Sequence, residues 1–195
     1  MTIRLPLLAA VLTVLVTACG GSSTSTTSAP SAHFTADTPS PGPYTVALAH
    51  ASANGAAVTI KVTVTGVPSF FGAAFHITYD PDALLFGSWD YSSSFLSQGL
   101  VSPGDVFFSE DHTTIGGTMV VVATRVDPTV ESPVDVTTTS TLFTVTFIAR
   151  KAIAAGAADG RVDFGDPKQV CDGTVNPPGC NPITVTWSGG GLSAK

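Results

Sequence analysis

The sequence predicts an all-β protein, a two-sheet antiparallel β-sandwich of about nine strands, and three observations carry that prediction. The first is alternation. Val58, Ile60, Val62 and Val64 alternate with Thr59, Lys61, Thr63 and Thr65, the period of a strand with one dry and one wet face. The second is composition: 44% of the 195 residues are hydrophobic and 11% charged, with 19 Gly and 14 Pro, which suits short strands joined by many turns. The third is punctuation, because turn chemistry recurs roughly every 8 to 15 residues and no amphipathic helical stripe interrupts it.

Residues 1–18 carry Arg4 and then an apolar run from Leu5 to Val16, too short to span a bilayer and laid out as an export signal. Val16-Thr17-Ala18-Cys19 resembles the bacterial lipobox, in which the signal is cut before a cysteine that is then acylated. Cys19 is therefore the expected lipidation site, and a lipid anchor at the cell envelope, on an outer membrane or the cell surface, the expected location. Two or three acyl chains anchor stably where one binds marginally. Residues 19–43 read as that cysteine plus a flexible linker, since Ser, Thr, Gly and Pro dominate and little apolar surface is available for burial. Cleavage after residue 18 removes one cation and no acid, which takes the net charge from −6 to −7. No basic run exists, which argues against a nucleic-acid partner.

Residues 44–195 form the expected folded domain, long enough for a real core. Val46 and Leu48 open a strand, and the 58–65 strand follows. Gly66, Pro68 and Ser69 break the pattern. It resumes with Ala73, Phe75, Ile77 and Tyr79 in one phase and Gly72, Ala74, His76 and Thr78 in the other. Asp80-Pro81-Asp82 closes this unit as a turn. Leu84 to Phe86 is a short apolar run, and Trp89 and Tyr91 lead from it into a Ser-rich stretch. Gly116-Gly117 predicts a tight hairpin between a strand at residues 106–109 and one at 118–126. Residues 127–140 read as a long polar loop and residues 150–160 as an Ala/Gly loop. Phe143, Val145 and Phe147 mark a strand, Val162 and Phe164 a short one, and Ile183, Val185 and Trp187 the last.

Catalytic chemistry finds no support. His33, His50, His76 and His112 are scattered, and no nucleophile elbow, HExxH or phosphate loop occurs. Asp80 and Asp82 lack the further oxygens of a calcium loop, and Glu110-Asp111 has no partner carboxylate at a recognisable spacing. No enzyme activity, cofactor or metal is expected. Cys171 and Cys180 are an even pair in an exported chain, separated by turn-forming residues (DGTVNPPG), and are expected to form a disulfide.

A strand, a Gly-Val-Pro loop, a strand ending in Tyr79-Asp80-Pro81, then GTMVVVATRV (117–126), LFTVTFIA (142–149), the Ala/Gly loop and a terminal ITVTW (183–187) make an ordered set. Over residues 44–195 that set resembles the cohesin family. The resemblance implies a jelly-roll-like sandwich that docks dockerin-bearing enzymes in bacterial polysaccharide-degrading assemblies. The strand phase that carries Asn and Asp recognition groups in dockerin-binding members is here Gly72, Ala74, His76 and Thr78, with Val121 expected on the same face. Dockerin specificity as the family shows it therefore does not carry over. A second reading is direct carbohydrate binding, with Trp89 and Tyr91 stacking on sugar rings. A third is a structural envelope lipoprotein. A flat face of small and apolar residues around Ala74 and Val121 favours a protein partner, and a coplanar strip containing Trp89 and Tyr91 favours a glycan.

Overall fold

Alternating burial sorts the chain into strands β1 (Ala32–Ala36), β2 (Thr45–Asn54), β3 (Ala57–Thr65), β4 (Val67–Tyr79), β5 (Leu84–Asp90), β6 (Val106–Asp111), β7 (Thr118–Arg125), β8 (Val134–Val136), β9 (Ser140–Ala149), β10 (Arg161–Asp172), β11 (Asn181–Ile183), β12 (Thr186–Ser188) and β13 (Gly190–Ala194). The computed structural model describes residues 31–102, 104–126, 132–173 and 180–195. The expected signal at 1–18 and the lipidation site Cys19 lie outside the described residues.

Two sheets result. The larger runs β1-β13-β10-β4-β7-β6, with β11 on β10 and β8 on β4, and the smaller runs β12-β2-β3-β9-β5. Among the described residues every strand pairing is antiparallel except β12 with β2. Their inner faces meet in one core. Phe75 of β4 lies parallel to Phe143 of β9 with ring centroids 6.1 Å apart, and meets Phe164 and Trp187 at 5.4 Å each. Burying each such ring stabilises the fold by about 1.5–3 kcal/mol. Slipping either strand by one residue would turn these rings to solvent.

The sandwich begins earlier than residue 44. Residues 32–36 form β1 rather than linker, because Ala32 and Phe34 face inward while His33 and Thr35 face water. Phe34 is 1% exposed, and a Cβ on Gly190 would lie 2.2 Å from its ring, so β13 carries glycine there to admit it. Ser31 N–H donates to Lys195 O at 2.7 Å and Lys195 N–H returns to Ser31 O at 3.2 Å. The expected linker is shortened accordingly.

Other departures are local. The polar loop at 127–140 contains β8, and Asp135 on it accepts the Ser69 N–H at 2.8 Å where Ser69 sits at φ +51°. The Ala/Gly loop holds a single 3-10 turn, Ala158–Gly160, and buries Ile153 through a bridge to Ala194. The connection between β6 and β7 is longer than a two-residue hairpin, with Gly117 at φ +72° where a Cβ would meet Tyr79 O at 2.5 Å. Cys171 and Cys180 are joined, with Cα atoms 5.1 Å apart at the start of the β10–β11 ribbon. Closing so short a loop contributes roughly 2.5 kcal/mol in the chain-entropy model.

Arg125 closes one end of the core. It occupies the inward phase of β7 and is buried, donating from Nε to Leu96 O at 3.2 Å and from its two terminal nitrogens to Gln98 O and Ser132 O. The loop after β5 and the segment before β8 are thereby tied to β7. A methionine keeps the apolar stem but leaves these carbonyls without that donor, at about 1–3 kcal/mol each. Arg125→Met is expected to lower unfolding stability by about 3 kcal/mol in urea melts, and a loss below about 1 kcal/mol would refute the tie.

Candidate functional site

Because Phe75 and Ile77 are committed to the core, Ala74 and His76 must leave the sheet on its far side. Register then sets their neighbours. On β7, Val122 stands beside Ala74, Val120 beside His76 and Thr118 beside Thr78. On β10, Gln169, Gly165 and Asp163 occupy the corresponding positions. β6 continues the face with Ser109 beside Val122 and Phe107 beside Thr124. Phe107 is 50% exposed and Val126, next in the outer phase after Thr124, is 55% exposed. The result is an outer sheet surface built from Ala, Val, Thr and Phe with few charges over β4, β7 and β6.

Of the residues expected on this face, Ala74 is exposed and His76 and Thr78 are half-buried in the outer phase. Val121 is not on it. It pairs with Phe75, is 0% exposed and belongs to the core, so the valines that flank Ala74 and His76 are Val122 and Val120. Gly72 has the expected phase but is buried, since the space a side chain would need is held by Thr124, whose Oγ1 would lie 2.5 Å from a Cβ. Phe107, Val120, Val122 and Val126 were not singled out by sequence. Thr118 and Thr124, which share the phase of Val120 and Val122, are the signal that marks that phase as wet.

Trp89 and Tyr91 do not make the coplanar strip that sugar stacking needs. Trp89 is half-buried, edge-on to Phe143 at 5.8 Å, and inclined by 51° to Tyr91. Tyr91 is itself stacked on Phe108 at 4.5 Å and 14°. Together with Phe86 stacked on His112 at 3.9 Å, these rings close the seam between β5 and β6, the edges of the two sheets. Glu110 accepts from His112 Nδ1 at 3.0 Å. Burial, with a smaller effect of Glu110, pushes the Tyr79 hydroxyl pKa upward. Asp80 accepts the Asp82 N–H at 2.8 Å as a turn residue. Among the described residues no group of three or more His, Cys, Asp or Glu side chains could hold a metal ion.

Two sheets in this order, with a charge-poor outer face on the larger, are joined by a direct sequence match: the cohesin domain profile covers residues 44–166. The chain belongs to the cohesin family. No curated protein sequence matches it. Among solved structures, this cohesin is similar to a type II cohesin domain from the cellulosome of Acetivibrio cellulolyticus, with 17% identity and a TM-score of 0.52 over 84% of this chain and 94% of that one. It is also similar to a type I cohesin–dockerin complex from Clostridium thermocellum, with 13% identity and a TM-score of 0.50 over 82% of this chain and 96% of that one. At those identities the likeness is one of fold.

The β6–β7 loop at the rim of the cohesin face is held by Asp111. Its carboxylate accepts from the Thr114 hydroxyl, from Thr113 N–H and Oγ1 at 2.8 Å each, and from Thr114 N–H at 3.1 Å. These bonds, the Thr114 hydroxyl first, hold its pKa far below the usual carboxylate range. A depressed folded pKa means the contribution to stability is fully present above the unfolded value of about 4 and is lost as pH falls through the folded one. In a carboxyl-carbon NMR titration Asp111 is therefore expected to stay ionised while exposed carboxylates protonate. A midpoint at the ordinary aspartate value would show that the loop is not held this way.

Proposed function

We propose that this cohesin is an envelope-anchored, non-catalytic module whose outer face on β4, β7 and β6 docks an extracytoplasmic protein of the dockerin type, recruiting a partner of a polysaccharide-degrading assembly. The supporting observation is the face itself. Ala74, Val120, Val122, Phe107 and Val126 place small and apolar side chains on a regular sheet surface, the composition that the centre of a protein interface favours. The Clostridium thermocellum relative is a cohesin–dockerin complex, which gives the chemistry of partner to test first. The polar groups expected for known dockerin recognition are replaced here by Gly72 and Ala74, so the proposed partner surface is correspondingly apolar.

Anchoring supplies the other half of the proposal. Cys19 in Val16-Thr17-Ala18-Cys19 is the lipid attachment point, with residues 20–31 as its connection to β1. Twelve residues reach at most about 40 Å fully extended. That is enough to hold the sandwich above lipid head groups and short enough to keep the partner at the membrane.

Calorimetric titration with a type I and a type II dockerin module tests the docking reading. Binding of one of them is expected, weakened at least about 30-fold by Ala74→Arg or Val122→Asp, as for the loss of one hot-spot residue. Binding to neither module, or binding indifferent to both substitutions, would overturn it. Anchoring is tested separately by metabolic labelling with an alkynyl fatty acid. The native chain is expected to be labelled and membrane-bound, and Cys19→Ala unlabelled and released; an unlabelled native chain refutes the anchor.

A further inference from the structure

Toward the other edge of the larger sheet, on the same outer face, β1, β13 and the start of β10 form a cleft of about 260 Å³ beneath the loop at residues 155–157. Thr35, Asp37, Arg161, Gly191 and Ser193 line it, and three of its elements, β1, β13 and the β1–β2 connection, lie outside the residues 44–166 that the family profile covers. It is separate from the docking face, which lies on β4, β7 and β6.

The polar groups in the cleft are ordered. Arg161 donates from Nη1 to Asp37 Oδ1 at 2.7 Å and from Nη2 to Asp37 Oδ2, and reaches Asp163 Oδ2 from Nη2 at 2.9 Å and from Nε at 3.3 Å. Asp163 is fixed in turn by the Phe164 N–H at 2.9 Å. Four of the five guanidinium donors are thus engaged, which leaves one N–H of Nη1. Thr35 and Ser193 add two hydroxyls that face water. Their hydrogen-bonding capacity is not spent on other described side chains.

The floor is informative. Three successive glycines occupy residues 189–191, and two have packing reasons: a Cβ on Gly189 would lie 2.5 Å from Asp163 Oδ1, and one on Gly190 would lie 2.2 Å from the Phe34 ring. Gly191 has neither a close neighbour nor a positive φ. A Cβ there would meet nothing within 4 Å, because the space above it is the cleft. Packing does not require glycine at residue 191, yet any larger residue would fill the cavity.

The chemistry of the lining selects a ligand class. Asp37 in the lining and Asp163 beside it outnumber the single guanidinium, a net charge of −1 that disfavours an anion, while every oxygen of the two carboxylates already accepts from Arg161 or from the Phe164 N–H, which weakens the case for an ammonium. Among the described residues no aromatic or large aliphatic side chain lines the cleft, so an apolar ligand has no such surface to bury. What remains is a group of fixed acceptors, one guanidinium donor and two hydroxyls over a flat glycine floor, matched to neighbouring O–H groups that donate and accept together. We propose that this cleft is a binding site for a neutral polyhydroxylated ligand, a single sugar unit, held by hydrogen bonds rather than by aromatic stacking. The volume, slightly below the roughly 300–1,000 Å³ of pockets for drug-sized molecules, suits one ring.

The test is an amide NMR titration of the full chain with methyl β-D-glucopyranoside, methyl β-D-xylopyranoside and methyl α-D-mannopyranoside, with ethylammonium and acetate as charged probes. At least one sugar is expected to shift the Arg161, Gly191 and Ser193 amides with a millimolar Kd. Gly191→Val is expected to keep the thermal midpoint, since valine suits a strand, and to weaken binding at least about tenfold. Should that variant unfold, Thr35→Val, which keeps the shape and deletes one hydroxyl, is expected to weaken binding in the same direction. No sugar-induced shift at these amides, shifts unchanged in the folded variant, or preferential binding of ethylammonium or acetate would overturn the proposal.

Discussion

The contact between Phe75 and Phe143 is the constraint on which the molecule depends. It joins the middle strand of one sheet to an inner strand of the other, and Phe164 and Trp187 pack around Phe75 from β10 and from β12. A β-strand has only two phases, so fixing Phe75 inside fixes Ala74 and His76 outside. Pairing then propagates that choice to β7 and β10, and through β7 to β6. The identity of the outer surface is therefore a consequence of core packing.

Most of this was readable in the sequence wherever one phase was apolar and the other was not. In β3 the Val/Ile phase is buried, and in β4 Ala73, Phe75 and Ile77 are buried, as alternation requires. Phase is illegible in β7, where GTMVVVATRV is apolar on both sides and Val121, expected on the outer face, lies in the core. The decisive residues there are the threonines at 118 and 124, half-buried on the outer side, while the polar residue on the inner side is Arg125, which enters the core because its hydrogen-bonding groups find backbone carbonyls. An arginine read from sequence signals solvent. Only the three-dimensional position of Leu96, Gln98 and Ser132 shows otherwise.

β1 is hidden in the sequence for a different reason. Its apolar content is two residues, Ala32 and Phe34, set within a long Ser/Thr/Pro-rich stretch, and composition averages over such a short signal. The strand exists because β13 offers an unpaired edge and a glycine-lined slot for Phe34, both supplied from the other end of the chain. The aromatic residues at 89 and 91 were legible as a pair but not as a seam. Their partner Phe108 lies on another sheet, and a contact between two sheet edges leaves no periodic trace.

Adding β1 and β13 beyond β10 also explains how one sheet carries two unlike surfaces. On β4, β7 and β6 the outward positions are Ala74, Val120, Val122 and Phe107, suited to burial against a partner. On β10, β13 and β1 they are Arg161, Asp163, Gly191, Ser193 and Thr35, whose hydrogen-bonding groups would be costly to bury against an apolar protein surface. The change occurs across β10, where Asp163 stands beside Thr78 and Gly165 beside His76. A protein partner on the first surface therefore gains nothing by extending past β10. With a partner on the apolar half, the polar half would stay open to solvent, and because the two halves share only β10, either can be altered without changing the register that holds the other.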